Sequence, residues 1–256
     1  MLKYNRFKYF FGAAFFLVLA CMYTTGFFYW WVIVLMISIW LIYISVGAFR
    51  MRAGIFLTSI CSIKSHNENI LLTFDDGPDP EITPQILDTL RGLNAKAIFF
   101  CIGNKVEKHP EIVFRIANEG HIVANHTYKH SNFFGFSSTE RIKKEIEDTE
   151  QSITDITKRS YKLFRPPFGV TNPNIARATK ALDYKVIGWN VRSFDTVSRN
   201  RLGVLKRIMK NLKSGDIILF HDTVLITPSI LKDFILLARN KGFTFEIPSE
   251  IYLSKQ

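Results

Sequence analysis

The 256 residues allow one domain of ordinary size with an additional segment, and they exclude an assembly of several large domains. The net charge of +11 is compatible with an anionic partner, but the basic residues are dispersed and no nucleic-acid-binding motif is present, so nucleic acid is not expected to be a partner. The three cysteines are too few for a disulfide framework and form no C-x-x-C pair, which excludes the common cysteine-based sites.

An uncharged apolar run occupies residues 9–49, between Lys8 and Arg50. It is about twice as long as a single membrane-spanning helix of roughly 20 residues. The stretch at residues 24–26, Thr-Thr-Gly, is the only part of the run with turn-forming character. Residues 1–50 are therefore predicted to form a two-helix transmembrane hairpin, with spans at about 9–24 and 27–49 and with membrane lipid as a partner.

The charges that flank the hairpin suggest its orientation. Basic residues lie before the first span and after the second, whereas the tip carries no charge, so the positive-inside rule places both ends and the following domain in the cytoplasm. The alternative is a cleaved signal peptide, because the residues before Cys21 weakly resemble a lipoprotein cleavage site. A second and more strongly apolar segment follows directly, which favours the hairpin.

Residues 51–68 are predicted to form a short polar linker, and in residues 69–256 short apolar runs alternate with amphipathic ones. About seven strands separated by helices indicate an α/β fold with parallel pairing, either an open sheet or a (β/α) barrel with fewer than eight units. The predicted strands are residues 70–74, 96–102, 121–125, 162–165, 185–191, 216–221 and 243–247. The predicted helices are residues 83–93, 110–118, 138–156, 172–182, 198–212 and 228–241.

The first polar cluster is a pair of adjacent carboxylates, Asp75 and Asp76, at the end of the first predicted strand. One carboxylate can bind a metal while the other remains free to act as a base. The alternative is an ordinary turn, because Asp-Asp-Gly-Pro is also common turn chemistry.

The second cluster contains His126 and His130, four residues apart after another predicted strand. In a helical turn the two imidazoles would share one face. Two His and one carboxylate make a three-ligand set that suits catalytic zinc and also iron, cobalt or nickel.

The two remaining clusters also follow predicted strands. In Arg-Pro-Pro-Phe-Gly, Arg165 can orient a carboxylate and a backbone amide near Phe168 can face a developing oxyanion, the alternative being a rigid turn. In the last cluster, Asp195 can bond to His221, which would raise the pKa of the imidazole and suit it to protonate a leaving amine. All four clusters lie at strand ends, which favours a hydrolase.

Taken in order, the sequences TFDDGP, HTYKH, RPPFG, the segment around Asp195 and LFHD resemble the five motifs of the polysaccharide deacetylase family, the NodB-homology domain of carbohydrate esterase family four. The resemblance covers residues from about 69 to the C-terminus. It implies a distorted (β/α) barrel with about seven parallel strands. It also implies a metal-dependent hydrolase that removes N-acetyl groups from the amino-sugar residues of a glycan.

The resemblance further implies a role for each residue of the site. Asp75 would be the catalytic base, held by Arg165, and His221 the general acid, tethered by Asp195. The metal ligands would be Asp76, His126 and His130, with Zn²⁺ as the expected metal and Co²⁺, Ni²⁺ or Fe²⁺ as alternatives. The residues implied at the substrate are the oxyanion-binding amide of Phe168, the acyl-pocket residue Leu219, and Trp189 and Thr196.

Two departures from the family pattern concern the substrate. Thr196 stands where the family often has Trp, and Arg192 stands where many members have an acidic residue, so the sugar is left open. One alternative is a deacetylase or deformylase of a lipid-linked amino sugar at the membrane, and a less favoured one is an O-acetyl esterase. An alternative of another class is a membrane-tethered glycan-binding protein without turnover. The oligomeric state is left open.

Overall fold

A computed structural model describes residues 2–64 and 68–252, in which two N-terminal helices precede an α/β domain. The helices are α1 (Leu2–Thr25), α2 (Trp30–Phe49), α3 (Ile82–Gly92), α4 (Gly103–Lys108), α5 (Pro110–Asn118), α6 (Thr139–Thr157), α7 (Pro173–Ala181), α8 (Arg201–Met209), α9 (Ile226–Arg239) and α10 (Ser249–Tyr252). The strands are β1 (Ser59–Ile60), β2 (Leu71–Asp75), β3 (Ala97–Cys101), β4 (Ile122–Asn125), β5 (Leu163–Phe164), β6 (Lys185–Ile187), β7 (Val191–Arg192) and β8 (Ile217–His221).

The strands form one sheet in the order β1-β6-β5-β4-β3-β2-β8-β7, and every neighbouring pair is parallel. The sheet curls into a half-barrel with helices on its outer side. The predicted distorted α/β barrel is therefore confirmed, with eight strands in the described part of the chain instead of about seven. Parallel pairing places the ends of all these strands at one rim, where sites of such folds form.

The prediction of one strand over residues 185–191 is wrong. The structure contains two short strands there, β6 and β7, near opposite edges of the sheet. Three residues connect them: the amide of Gly188 donates to Ile60 beside β6, and the amide of Asn190 donates to Ile217 in β8. Because so short a segment spans at most about 14 Å, the two edges of the half-barrel lie close together and are joined by the chain itself.

The prediction of a strand at residues 243–247 is also wrong. This segment makes only an isolated bridge, between Asn69 and Thr244. The carbonyl of Thr244 accepts from Ile70 and that of Phe245 accepts from Lys96, so the segment crosses the beginnings of β2 and β3 instead of running beside one strand. Phe243 and Phe245 are nevertheless buried, which explains the strand-like alternation of its sequence.

The predicted linker, residues 51–68, belongs to the domain over the part that the structure describes; residues 65–67 lie outside the described residues. It contributes β1 to the sheet edge and buries several apolar side chains, among them Met51, Phe56 and Leu57. The strand was missed because two residues are too few to show a periodicity of two. The helix α4 was missed for a similar reason, since six residues make fewer than two helical turns.

Strand side chains alternate between the helix-covered outer face and the barrel interior. In β2, Leu72 and Phe74 pack outward against the helices, whereas Leu71 packs inward. The same alternation makes the last residue of β2, Asp75, an inward one. The barrel interior is therefore apolar at its base and polar at the rim where the strands end.

The helices α1 and α2 form an antiparallel hairpin held by aromatic contacts, such as the one between Phe7 and Tyr43, whose ring centroids are 3.7 Å apart. Both helices are long and apolar enough to cross a membrane, and both lie largely outside the packed interior, since only Gly47 is buried within α2. The base of the hairpin contacts the domain: Thr171 donates from its amide to Ala48 and from its hydroxyl to Gly47. The observed α1 begins earlier and α2 later than the predicted spans 9–24 and 27–49.

Candidate active site

The inward residues at the rim come from neighbouring strands, and the sheet register brings them together. Asp75 in β2 pairs directly with His221 in β8, and Thr73 pairs with Leu219. Neighbouring strands lie only about 4.8 Å apart. A carboxylate and an imidazole therefore lie side by side at the rim, although they are far apart in the sequence.

Asp76, His126 and His130 form a compact group whose potential ligand atoms all lie within 4.8 Å of one another. The Oδ1 atom of Asp76 lies 3.4 Å from Nε2 of His126 and 3.2 Å from Nε2 of His130. Burial raises the pKa of Asp76, but the hydrogen bond to His126 and the nearby imidazoles outweigh it and lower that pKa. Burial lowers the pKa of His130, which favours the neutral imidazole that a metal requires.

The donor set fits a divalent transition metal. One carboxylate and two imidazoles leave open positions for water and substrate, as catalytic sites do. The Nδ1 atom of His126 lies 2.7 Å from the carbonyl oxygen of Arg165, so this bond orients the ring and directs Nε2 to the cluster. The residues of the cluster could thus hold a metal ion.

The two His do not share a helical turn as predicted. They lie in a loop after β4 in which Thr127 and His130 have positive φ angles of 68° and 49°. The loop is ordered by side chains: the Thr127 hydroxyl accepts from the amide of His130, and the Glu145 carboxylate accepts from the amides of Tyr128 and Lys129. The two imidazoles, four residues apart, therefore come together because the loop turns back on itself and not because they share a helical face.

Arg165 is completely buried behind the pocket. Its Nη1 donates to Oδ1 of Asp75 at 2.6 Å and to the hydroxyl of Thr73 at 2.9 Å. Its remaining donors bind the carbonyls of Ile187 and Gly188. The contact with Asp75 uses one nitrogen and is not bidentate, and it leaves Oδ2 directed at the cluster, 3.9 Å from Nε2 of His126.

His221 and Asp195 form the second charged pair of the site. The Nδ1 atom of His221 lies 2.8 Å from Oδ1 of Asp195, and the amide of His221 donates to Oδ2 at 2.7 Å. Hydroxyls of Ser193 and Thr227 also donate to this carboxylate. Burial opposes charge on His221, but the bond to Asp195 and its negative charge outweigh burial and raise the pKa of the imidazole. For Asp195 burial is likewise outweighed by the contacts with His221, and its pKa is lowered.

A pocket of about 240 Å³ brings these groups together. Phe168, Trp189, Thr196 and Leu219 all line it, as the sequence predicts for the substrate-binding residues. The ring of Phe168 lies edge-on to His130, with centroids 4.9 Å apart. The full set of lining residues is Asp75, Asp76, His126, His130, Phe168, Gly169, Trp189, Arg192, Thr196, Leu219 and His221.

Several supporting residues were not found from the sequence. Glu145, Ser193 and Thr227 hold groups of the site in place but belong to no polar cluster of their own, and Thr73 lies within the motif TFDDGP but was given no role. Among them, only Thr73 could have been placed from the sequence. It lies two residues before Asp75, and residues two apart on a strand share one face.

Asp222 shows why proximity in sequence can mislead. It follows His221 directly, but it is buried away from the pocket, against Gly77, and accepts from the hydroxyl of Thr83. Burial raises its pKa to about 7. It does not line the pocket, so Asp195 is the carboxylate that serves His221.

The α/β half-barrel has a two-His, one-Asp cluster, a further carboxylate and an imidazole at one rim. This arrangement is typical of hydrolases. The family model described as polysaccharide deacetylase matches residues 62–187. The chain belongs to the polysaccharide deacetylase family, and the predicted enzyme class, a hydrolase of linear amides, is confirmed.

The chain is similar to a peptidoglycan-N-acetylglucosamine deacetylase of Bacillus cereus, with 35% identity over 73% of this chain and 89% of the relative. It is 33% identical to the peptidoglycan-N-acetylglucosamine deacetylase PgdA of Listeria monocytogenes, over 74% of this chain but only 40% of that longer protein. Among solved structures, the Bc1960 peptidoglycan N-acetylglucosamine deacetylase has a TM-score of 0.71 at 32% identity, covering 75% of this chain and 91% of the other.

Proposed function

We propose that the chain is a membrane-anchored, metal-dependent deacetylase that removes N-acetyl groups from amino-sugar residues of a glycan. Its domains would be a transmembrane hairpin at residues 1–50 and a catalytic domain that includes residues 69–256, of which 253–256 lie outside the described residues. The observation that carries the proposal is that Asp75 and His221 line one pocket together with the Asp76, His126 and His130 cluster. The similarity to peptidoglycan deacetylases supports the amino-sugar substrate.

Asp76, His126 and His130 would hold the metal, Zn²⁺ by preference. A divalent cation bound there acidifies water and polarises the acyl carbonyl. Asp75 would accept the proton of the attacking water through Oδ2, because Oδ1 already accepts a hydrogen bond from Arg165. The buried Arg165 also keeps Asp75 in position opposite the cluster.

His221 is placed to complete the reaction. Its Nδ1 is bound to Asp195, so the other nitrogen, Nε2, remains to donate a proton to the leaving amine. The carbon–nitrogen bond then breaks, and the products are acetate and the free amino sugar. The raised pKa of His221 keeps this proton available near neutral pH. Phe168 through its amide, and Leu219 and Trp189 through their side chains, would enclose the acyl group.

The membrane anchor is inferred from the hairpin. Two helices whose apolar side chains are exposed or only partly buried would give a water-soluble protein an unusually large apolar surface. The basic residues at the base of the hairpin favour a cytoplasmic catalytic domain under the positive-inside rule. A signal sequence is less well supported, because Thr171 holds the end of α2 against the domain.

A lipid-linked amino sugar is the second candidate substrate, with either an acetyl or a formyl group removed. Two observations favour it: the hairpin contacts the segment that carries Phe168, and Arg192 places a positive charge at the pocket. Such a substrate carries phosphate, which Arg binds well. Thr196 adds a small polar wall in place of the bulky side chain common in the family.

The test is acetate release by the full-length chain in detergent micelles, with Zn²⁺ added, from soluble N-acetylglucosamine oligomers. The matched control is Asp75→Asn, which preserves the shape of the side chain and removes its negative charge. Release that requires both Asp75 and metal supports the proposal. Absence of release from oligomers, together with release from a lipid-linked N-acetylamino sugar, selects the second candidate.

Retention of glycan binding with no release from either substrate, by wild type and Asp75→Asn alike, would instead support a binding protein without turnover. Titration with Zn²⁺ or Co²⁺ distinguishes a variant whose metal site is disrupted from one that has lost only its catalytic activity. The metal should bind wild type and Asp75→Asn about equally, whereas His126→Ala and His130→Ala should bind it far more weakly, because each removes one of the three ligands.

A further inference from the structure

Two phenylalanines on the loop of residues 131–137, here called the aromatic loop, are highly exposed. Phe133 is 74% exposed and Phe136 is 88% exposed, whereas Phe134 between them is buried in the core. The loop follows His130 directly and contains a short 3₁₀ turn. One phenylalanine therefore anchors the loop, and the other two extend into the surroundings.

The aromatic loop is bonded to the beginning of α7. The side-chain amide of Asn172 donates to the carbonyl of Gly135 at 2.5 Å, and that of Asn174 donates to the carbonyl of Ser137 at 2.9 Å. Asn172 also caps α7 by accepting from the amide of Ile175. The loop thus has a fixed position relative to α7.

The residue before this cap connects the loop to the hairpin. Thr171 donates to the carbonyls of Gly47 and Ala48 in the last turn of α2, at 2.6 and 2.9 Å. Phe49, at the end of that helix, is itself exposed. The aromatic loop is therefore continuous, through one short set of hydrogen bonds, with the base of the hairpin.

The same segment of chain forms a wall of the pocket. Phe168 and Gly169 line the pocket only a few residues before Thr171, and Phe168 contacts His130, the residue that precedes the aromatic loop. The hairpin base, the aromatic loop and one side of the pocket mouth consequently lie together. Exposed apolar side chains next to a membrane span are in position to contact the lipid.

We propose that Phe133 and Phe136 insert into the interfacial layer of the lipid bilayer beside the hairpin and hold the pocket mouth at the membrane surface. This inference rests on the membrane-spanning hairpin of the proposed function and deepens it. The occupant of the aromatic surface is lipid. The consequence for the reaction is a preference for amino sugars presented at the bilayer surface over sugars free in solution.

Nitroxide labels on the full-length chain in liposomes test the inference without an activity assay. Cys21→Ser removes the exposed thiol, and Cys61 and Cys101 are buried, so a single introduced cysteine can be labelled. In this background the variants are Phe136→Cys, the hairpin reference Leu35→Cys in α2, and the surface reference Phe114→Cys in α5. The side chain of Phe114 is 57% exposed on a helix that makes no contact with the hairpin among the contacts described.

The expected result is that the labels at 136 and 35 are more accessible to oxygen than to a water-soluble nickel chelate, and that the label at 114 shows the opposite. The inference is overturned if the label at 136 is more accessible to the nickel chelate, like the label at 114, while the label at 35 is more accessible to oxygen. That outcome leaves the membrane anchor intact. Water exposure of the label at 35 overturns both the anchor and the inference. Neither outcome depends on whether the chain is a deacetylase.

The catalytic consequence is tested with the double variant Phe133→Ser with Phe136→Ser, and with Phe114→Ser as its control. The double variant should lose about tenfold in kcat/KM on an N-acetylamino-sugar lipid in vesicles, because two apolar side chains no longer enter the bilayer, and should be unchanged on soluble oligomers. Equal losses on both substrates would show that the two rings bind the sugar, and would overturn the assignment to lipid.

Discussion

The two charged pairs of the pocket have opposite arrangements. In the pair Arg165 and Asp75 the cation is fully buried and the carboxylate, 7% exposed, reaches the pocket. In the pair His221 and Asp195 the carboxylate is fully buried and the imidazole, 11% exposed, reaches the pocket. In each pair, the proposed reactive group is the member that reaches the pocket, and its partner is buried behind it.

The comparison explains how one pocket can hold a base and an acid. The buried Arg165 holds the Asp75 carboxylate, the proposed base, by a hydrogen bond to Oδ1, and the negative charge of the buried Asp195 raises the pKa of His221, the proposed acid. The two reactive groups face each other because β2 and β8 are paired in register at Asp75 and His221. Breaking the pairs one at a time therefore tests whether the division of roles is real.

Removal of the proposed base should have the largest effect. Asp75→Asn keeps the shape but cannot accept the proton, so kcat should fall about 10³-fold or more. The measurement is steady-state acetate release on whichever glycan the wild type deacetylates. Asp233→Asn, a carboxylate in an exposed ion pair with Arg201, is the control and should retain full activity. Comparable activity in Asp75→Asn and wild type would exclude Asp75 as the base.

Removal of the buried cation should be the next largest effect. Arg165→Met leaves the carboxylate of Asp75 and two carbonyls without their partner, so the domain should lose about 3–5 kcal/mol of stability. The control Arg201→Met breaks a surface pair and should change stability by less than about 1 kcal/mol. Thermal unfolding in the same detergent gives both values. A melting temperature for Arg165→Met equal to that of Arg201→Met would contradict the structural role.

Removal of the buried anion, Asp195, should alter the pH dependence of kcat/KM. Asp195 raises the pKa of His221, so the acid form persists to higher pH in the wild type. Asp195→Asn should therefore move the alkaline limb of the kcat/KM profile to lower pH and lower the rate at pH 8 by about tenfold or more. An unmoved limb, with reduced activity at every pH, would indicate a purely structural role for Asp195.

The same pair has a defined effect on stability. The raised pKa of His221 contributes stability below its ordinary value of 6.5, and this contribution is lost as the pH rises through the raised value. The lowered pKa of Asp195 contributes stability above its ordinary value of 3.8, and this is lost as the pH falls through the lowered value. Between those ordinary values the stability difference between wild type and Asp195→Asn should be greatest.

Loss of a single supporting hydroxyl should be the smallest effect. Thr227→Val keeps the shape and removes one hydrogen bond to Asp195, which should lower stability by about 1 kcal/mol. The alkaline limb should move much less than in Asp195→Asn, because the carboxylate remains. A shift as large as that of Asp195→Asn would mean that Thr227 is required to position the carboxylate, which would refine the comparison.

Much of the site could be predicted because its reactive residues occur in short, ordered motifs. Asp75, Asp76, His126, His130, Arg165, Asp195 and His221 were all recognisable, and the structure brings them around one pocket. The supporting residues could not be found in this way. Glu145, Ser193 and Thr227 act through contacts made by folding, and nothing in their immediate sequence distinguishes them from other polar residues.

The sequence alone determined the parallel α/β fold, the two apolar helices and the residues of the candidate site, because hydrophobic periodicity and local motifs are properties of neighbouring residues. Only the tertiary structure decided that residues 185–191 split into two strands, that residues 243–247 cross the beginnings of β2 and β3, and that residues 51–64 belong to the domain. It also decided which member of each charged pair is buried. These features depend on contacts between residues distant in the chain, and local periodicity contains no information about them.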